Sequence, residues 1–335
     1  MPRPPMKTQL YTDVAAWQEL EPEWNALLKS SASDTIFLTW EWQATWWEHL
    51  GEGELRVAAF RDDAGALAGI APLFRRADQL ALVGGVEVSD YLDLIAARGR
   101  EPEVYAACAD LLASADFAGW TRVQLSNIPA ESPIHAHFES IARARGWRVE
   151  SRQEEVAPFI ELPATWDAYL ETLDKKQRHE LRRKMRRIAE VPHRWLTLDR
   201  TEDIAAGVRD FIELHKKSRP DKNVFMDARM QDFFAAMARV LHARGWLELA
   251  FLEIEDARAA SIFNFVYNND VLVYNSGYDP ENFRAHSPGV VLFAFSLQDA
   301  IAARRRRYDF LQGNEEYKYR FGARDRQILE LTITR

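Results

Sequence analysis

Long apolar runs, paired cysteines and metal-ligand spacings are all missing from this sequence, and each absence narrows what the chain can be. No run of about 18 apolar residues occurs, so no segment is expected to span a bilayer. The opening stretch, MPRPPMKTQLYTD, has no apolar h-region and does not read as a secretory signal. The cytoplasm is the expected location. Cys108 is the one cysteine among 335 residues, which excludes an internal disulfide. It falls in the helical pattern AACADLL and reads as a small buried apolar residue. The histidines are dispersed: His135 and His137 stand apart from His179, His193, His215, His242 and His286. No metal-ligand spacing results, so neither a structural nor a catalytic metal is expected. Neither a G-x-x-x-x-G-K-S/T loop nor a G-x-S-x-G elbow is present, which argues against a P-loop ATPase and an α/β-hydrolase.

What is present fits a soluble protein of two domains. The length exceeds one ordinary domain. Eleven Trp and eighteen Phe supply large buried surfaces. The net charge is −8, so the whole molecule is not built for DNA or RNA. Its cations are concentrated, however: Lys175, Lys176, Arg178, Arg182, Arg183, Lys184, Arg186 and Arg187 crowd one segment. Leu181, Met185 and Ile188 form an i, i+4, i+7 stripe through it, so the segment reads as a helix with charges around its remaining face. A solvated face is the common fate of such a run. A local anionic partner is the alternative that its density favours.

One succession of elements occurs twice. RVAAFRDDAGALAGIAPLF from Arg56 and LAFLEIEDARAASIFNFVY from Leu249 both read as strand, acidic turn, strand. A third strand follows each pair, QLALVGG from Gln79 and DVLVYNSG from Asp270. Then come a helix (Pro102 to Ala115; Pro288 to Arg304) and a further strand (Thr121 to Ser126; Tyr308 to Leu311). A repeat at this long period indicates duplicated domains. The expected fold class is mixed α/β, two tandem domains of a central mixed sheet flanked by helices. The expected boundary lies near Val156 to Pro163, giving domains 1–158 and 159–335. Asp13 is expected to cap a helix carrying Trp17, Leu20, Trp24 and Leu27, and Trp40 to Leu50 to form a second, stopped by Gly51. Further helices are expected near Ser132 to Arg145, Thr165 to Leu173, Lys175 to Glu190, Thr201 to Lys217 and Asp227 to Ala243. The halves close on strands at Trp147 to Leu162, read as interrupted, and Gln327 to Thr334.

The most informative stretch begins at Val271. A strand, a turn and a Ser-Pro-Gly entry lead into the helix near Gly289. The first amides of a helix lack intrahelical partners, so a helix start aimed from a strand end is a ready anion site. An acyl-CoA pyrophosphate is commonly held that way. Pro288 suits the first turn, Gly289 lets a ligand approach the backbone, and Val290 and Val291 would contribute their N–H groups. An ordinary cap with no ligand is the bland alternative. Ser89-Asp90-Tyr91-Leu92-Asp93 follows the third strand of the first unit. If it is a strand, Asp90 and Leu92 share one face, and Tyr91 and Asp93 the other. Either aspartate is a candidate proton acceptor, or else a turn residue capping an amide. Glu315 to Gly322 reads as a polar, aromatic loop in which Lys318 could neutralise a phosphate or oxyanion. Trp42, Trp46 and Trp47 have ordinary core spacing, and Trp40 is the best candidate for an exposed ring.

These motifs permit a comparison. FLTWEWQATWWEHLG near residue 40, LAGIAPLFRR at Leu67, SDYLDL at Ser89, DKKQRHELRRKMRR at Asp174, YNSGYDPENFRAHSPGVVL at Tyr274 and YDFLQGNEEYKYRFGA at Tyr308 occur in order. Together they resemble the GNAT superfamily of N-acyltransferases, doubled as in the FemABX peptidyl transferases, and are similar to its CelD-like branch. The resemblance implies an acyl-CoA co-substrate held in the second domain by a splayed strand and the helix start, with His286, Ser287, Gly289, Val290, Val291 and Tyr278 as donor-site residues. His286 to Gly289 shortens the usual glycine-rich loop. The resemblance further implies a base among Asp90 and Asp93, a relevant Lys318, and a tyrosine, Tyr317 or Tyr319, that protonates the leaving thiolate. Lys175, Lys176, Arg178, Arg182, Tyr91 and Trp40 are the expected acceptor or anion contacts. The expected acceptor is an amine or hydroxyl of a polar molecule, placed in the cleft between the halves, and family context suggests a cell-envelope or exopolysaccharide precursor. Two rival readings stand beside this one. The donor is aminoacyl-tRNA, as in FemABX relatives, lying on the basic helix; or the chain is a non-catalytic binder of a nucleotide-sugar or protein.

Overall fold

Three antiparallel strands, a helix, and a strand that pairs in parallel follow one another in each half of the chain. The computed structural model describes residues 6–199 and 203–335. In order, its elements are β1 (Lys7–Tyr11), α1 (Ala15–Lys29), α2 (Trp40–Leu50), β2 (Glu54–Arg61), β3 (Leu67–Arg76), β4 (Gln79–Leu82), β5 (Ile95–Ala96), α3 (Glu101–Ala113), β6 (Arg122–Pro129), α4 (Pro133–Ala144) and β7 (Arg148–Glu161). Then come α5 (Trp166–Thr172), α6 (Lys175–Ile188), β8 (His193–Thr197), α7 (Ile204–Ser218), α8 (Pro220–Phe225), α9 (Ala228–Arg244), β9 (Leu247–Ile254), β10 (Ala257–Tyr267) and β11 (Asp270–Tyr278). The chain ends with α10 (Pro288–Ala302), β12 (Arg307–Asp309), α11 (Glu316–Arg320) and β13 (Arg324–Thr334). Thr201, the expected start of the helix now seen as α7, lies outside the described residues.

The described residues form two compact units, 6–155 with 326–335, and 156–199 with 203–325. In the first, the strand order is β1-β2-β3-β4-β6-β13, with β5 on β3. β2, β3 and β4 are antiparallel neighbours, and β4 meets β6 in parallel. In the second, the order is β7-β12-β11-β10-β9-β8. β9, β10 and β11 are antiparallel, and β11 meets β12 in parallel. The repeat read from the sequence is therefore a repeat of strand pairing. β7 runs without a break where an interruption was expected. β13, expected in the second domain, pairs with β6 from Ile328↔Pro129 to Thr334↔Arg122.

The tryptophans build the first unit's core. Trp24 and Trp42 are fully buried, and their indole N–H groups donate to the Leu38 carbonyl and to Ser89 Oγ, both at 2.8 Å. Burying an indole leaves its donor to be satisfied, and both find partners. Asp13 Oδ1 accepts from the Ala15 amide at 2.8 Å, one residue ahead of Val14, the N-cap position of α1, whose own side chain makes no capping bond. Trp40 departs from expectation. Its ring is half-buried, and its N–H donates to the Trp17 carbonyl at 2.7 Å, which fixes it to the protein. Cys108 is buried in α3, and burial pushes its thiol up to about 12. In the second unit, α6, α10 and one face of β9–β12 share one core, which includes Leu181, Ile188, Phe293, Tyr308 and Phe321. The stripe predicted for the basic helix is thus the face that it buries.

Candidate functional site in the second unit

β11 and β12 pair over three residues only, Asp270↔Arg307 to Leu272↔Asp309. Beyond that point the two chains diverge. β11 stays with β10 as far as Tyr278↔Ala260, whereas the amides of Phe310 and Gly313 donate to the carbonyls of Pro158 and Val156 in β7. A register shift between Phe263 and Asn264 accompanies the divergence and adds local twist to β11. The result is a wedge that opens along residues 273–278 of β11. α10 begins ten residues further on, after a single 3-10 turn at Arg284–His286.

The start of α10 differs in detail from the sequence expectation. Ser287 takes a left-handed conformation, φ 52°, and its side chain makes no capping bond. This backbone region is sparsely populated by residues other than glycine. The turn so formed directs the amides of Val290 and Val291 onto the Ser287 carbonyl, at 3.0 and 3.2 Å. Those two groups are spent, which corrects their assignment as ligand donors. Pro288 has no N–H. The Gly289 amide is left as the first-turn donor without a partner among the described residues. A Cβ at Gly289 would lie 3.5 Å from the Tyr278 ring, an ordinary contact, so Gly289 and Tyr278 form one wall.

α6, the start of α10 and α11 enclose a cleft of about 430 Å³. Lys176, Gln177, Glu180, Leu181 and Lys184 line it from α6, Val290 from α10, and Tyr317, Arg320 and Phe321 from the other side. Three separately predicted features, the basic helix, the helix start and the late aromatic segment, therefore meet. Glu180 pairs with Arg183 at 2.8 Å and Lys184 at 3.5 Å, and Arg183 chiefly holds its carboxyl down at about 2. Lys175, Lys176, Arg178, Arg182, Arg186 and Arg187 enter no ion pair among the described residues. Exposed cations without partners are an electrostatic footprint for an anion. Arg182 and Arg186 also border a smaller apolar hollow with Trp166, Leu170 and Met185.

The segment read as a loop is the short helix α11. Tyr317 stacks on Phe293 at 5.1 Å, and burial raises its phenol well above the ordinary value. It stays protonated at the cleft wall. Tyr319 points elsewhere, donating to Asp325 Oδ1 at 2.8 Å. Lys318 is 2% exposed, and its Nζ donates to the carbonyls of Leu311, Gln312 and Gly313 at 3.2, 2.6 and 2.9 Å. It also pairs with Glu315 at 2.9 Å. An ammonium has three N–H donors, so this lysine is committed to shaping the 311–313 turn and has none over for a phosphate.

The residues expected from the Ser89 motif belong to the first unit, and no strand forms there. Asp93 is 2% exposed and accepts from Ser33 Oγ at 2.6 Å, Ser132 Oγ at 2.5 Å and the Leu94 amide at 2.8 Å. Burial outweighs these donors and raises its carboxyl to about 6. Its lone pairs are engaged in joining three segments. Tyr91 is buried against Phe37 and under the Arg326 guanidinium, so it is packing rather than a ligand contact. Asp90 is half-buried and already has an interaction partner. Sequence reasoning overlooked α8 and two polar residues beside the wedge, Lys222 and His215. Neither sits in a motif. The only hint was Pro220, a helix-start residue, at the end of a cation-rich stretch.

Comparison with known proteins agrees with this geometry. Residues 175–319, all within the second unit, match the acetyltransferase (GNAT) domain family. The structure is similar to the crystal structure of FemX, with TM-score 0.67 and 12% identity over 97% of each chain. It is similar to the C-terminal domain of a putative lysylphosphatidylglycerol synthetase from Agrobacterium fabrum, with TM-score 0.58 and 12% identity over 95% of this chain and 92% of that one. It is similar to a tandem GNAT protein from the clavulanic acid biosynthesis pathway, with TM-score 0.51 and 14% identity over 97% and 98%. No curated protein sequence matches the chain. At these identities the likeness establishes the fold alone, which is of the GNAT type.

Proposed function

We propose that the chain moves an acyl group from acyl-CoA to an amine or hydroxyl of a polar acceptor. The observation that carries this reading is the wedge: β11 loses β12 after Leu272, and α10 starts beside the stretch left open. A strand edge offers main-chain groups to the amide-bearing arm of the donor, and the helix start offers the Gly289 amide and a positive dipole end to its pyrophosphate. The cations of α6 across the cleft neutralise remaining phosphate charge. Tyr317, kept protonated, hands its proton to the departing thiolate. A cell-envelope or exopolysaccharide precursor is the acceptor class suggested by the CelD-like motifs, by analogy of fold and motif alone.

Thermal unfolding with acetyl-CoA, longer acyl-CoAs and free CoA tests the donor. A ligand that binds only the folded state stabilises it by about 2.7 kcal/mol at a hundredfold excess over its dissociation constant. A saturable rise in midpoint that disappears in Gly289→Trp is the expected result. The absence of any shift at millimolar CoA overturns the reading.

One observation favours a second reading. The α6 cations that enter no ion pair among the described residues suit an extended polyanion, so an aminoacyl-tRNA donor fits the same wedge. That reading requires RNA binding that falls steeply with salt, together with indifference to CoA.

A further inference from the structure

Two residues that no motif singles out meet at the open stretch of β11. α7 packs so closely on this strand that a Cβ at Gly277 would come 2.3 Å from the His215 amide nitrogen. His215 Nε2 lies 2.9 Å from Asn275 Oδ1, and Lys222 Nζ, on α8, donates to the Ser276 carbonyl at 2.5 Å. Asn275 and Ser276 both lie past Leu272, where β11 has left β12. The α7–α8 corner is therefore fastened to the part of the strand assigned above to the donor. Glu315 stands on the other side of the wedge, close enough to act on both Lys222 and Tyr317.

We propose that Lys222 is a catalytic residue of the acyl transfer, its ε-amine taking the proton from an acceptor nitrogen as that nitrogen attacks the thioester carbon. This assignment rests on the acyltransferase reading. The new N–C bond forms and the C–S bond breaks. The acceptor's proton passes to Lys222 Nζ, the sulfur leaves as thiolate and takes the phenolic proton of Tyr317, and the ammonium returns a proton to the phenol through solvent. The products are an amide and free CoA. An uncharged Lys222 retains an N–H for the Ser276 carbonyl and still has a lone pair with which to accept a proton. Its surroundings shift it toward that form. Burial, then the Arg219 guanidinium, bring its amine down to about 8, against the opposing charges of Asp221 and Glu315. His215, 1% exposed and with Nδ1 unpartnered among the described residues, is pushed down to about 4 by burial and then by Lys222, so it adds no positive charge there. Asp93 and Lys318 are both fully engaged, so neither competes for the task.

Bromoacetyl-CoA tests the assignment, because its electrophilic carbon adjoins the thioester carbonyl and alkylates a base poised there. The expected result on the full chain is one adduct, mapped to Lys222 by peptide mass spectrometry. Its rate of formation rises through a midpoint near pH 8. Excess acetyl-CoA slows it at least ~10-fold by mass action. Lys222→Met and Lys222→Arg abolish the adduct yet keep the midpoint shift with acetyl-CoA. The arginine variant, which keeps the charge and a donor for Ser276 but cannot deprotonate, separates chemistry from folding if the methionine variant is unstable. An adduct elsewhere, or none while acetyl-CoA still raises the unfolding midpoint, overturns the role of Lys222 and leaves the donor reading intact. No acetyl-CoA shift in the unaltered chain overturns both.

Discussion

Replacing Asp93 by asparagine separates two possible tasks of a buried carboxyl. Its oxygens accept from two serine hydroxyls and one amide in a site that is 2% exposed. Burial holds its folded value at about 6, against an ordinary 3.8. A carboxyl raised in the folded state binds its proton more tightly there than in the unfolded chain. Its contribution is therefore most favourable below about pH 4 and is lost as pH rises through about 6. A gap of about two pH units corresponds to ~3 kcal/mol. Asparagine preserves the shape and an acceptor oxygen, the serine hydroxyls can rotate to accept from its amide, and it does not titrate. Asp93→Asn is thus expected to gain ~3 kcal/mol relative to the parent between about pH 4 and 7, measured by urea unfolding at both ends. It is also expected to keep its acyl-transfer rate. A stability difference that does not change with pH would refute the reasoning about burial. A loss of ~100-fold or more in rate with the fold intact would refute the structural role and return the proton-acceptor role to Asp93.

Lys318→Met strands three buried carbonyls and should lower stability by ~2–4 kcal/mol in chemical denaturation, with no gain of function from added CoA. Gly289→Ala should be nearly silent, because its Cβ meets Tyr278 at an ordinary 3.5 Å, whereas Gly289→Trp fills the wall and should remove the acetyl-CoA midpoint shift. Reversing Lys176 and Arg182 to glutamate breaks no ion pair among the described residues. Stability should therefore move by less than ~0.5 kcal/mol, while donor affinity at low salt falls by ~10-fold and the salt dependence weakens.

Local patterns carried much of the fold. The stripe Leu181, Met185, Ile188 marked the buried face of α6, and the acidic turns marked the two strand pairs, because a helix and a hairpin are each specified by neighbouring residues. The meeting of the basic helix, the Ser287 turn and Tyr317 was partly legible, since each had its own signal. Their roles were not. Lys318 looked like a free cation until its three carbonyl acceptors were seen, and Asp93 looked like an available base until Ser33 and Ser132, distant in sequence, closed around it. Val290 and Val291 lost their amides to a left-handed Ser287 that no propensity predicts.

The sequence alone determined the duplicated α/β order, the helix faces and the position of an anion-ready helix start. These depend on periodicity and chain direction, which are short-range properties. Tertiary structure alone decided where β11 parts from β12, which strand β13 joins, and that Lys222 comes to rest on Ser276. Those outcomes turn on hydrogen-bond partners far apart in the chain and on burial, and a buried polar group's chemistry is set by whichever partners surround it.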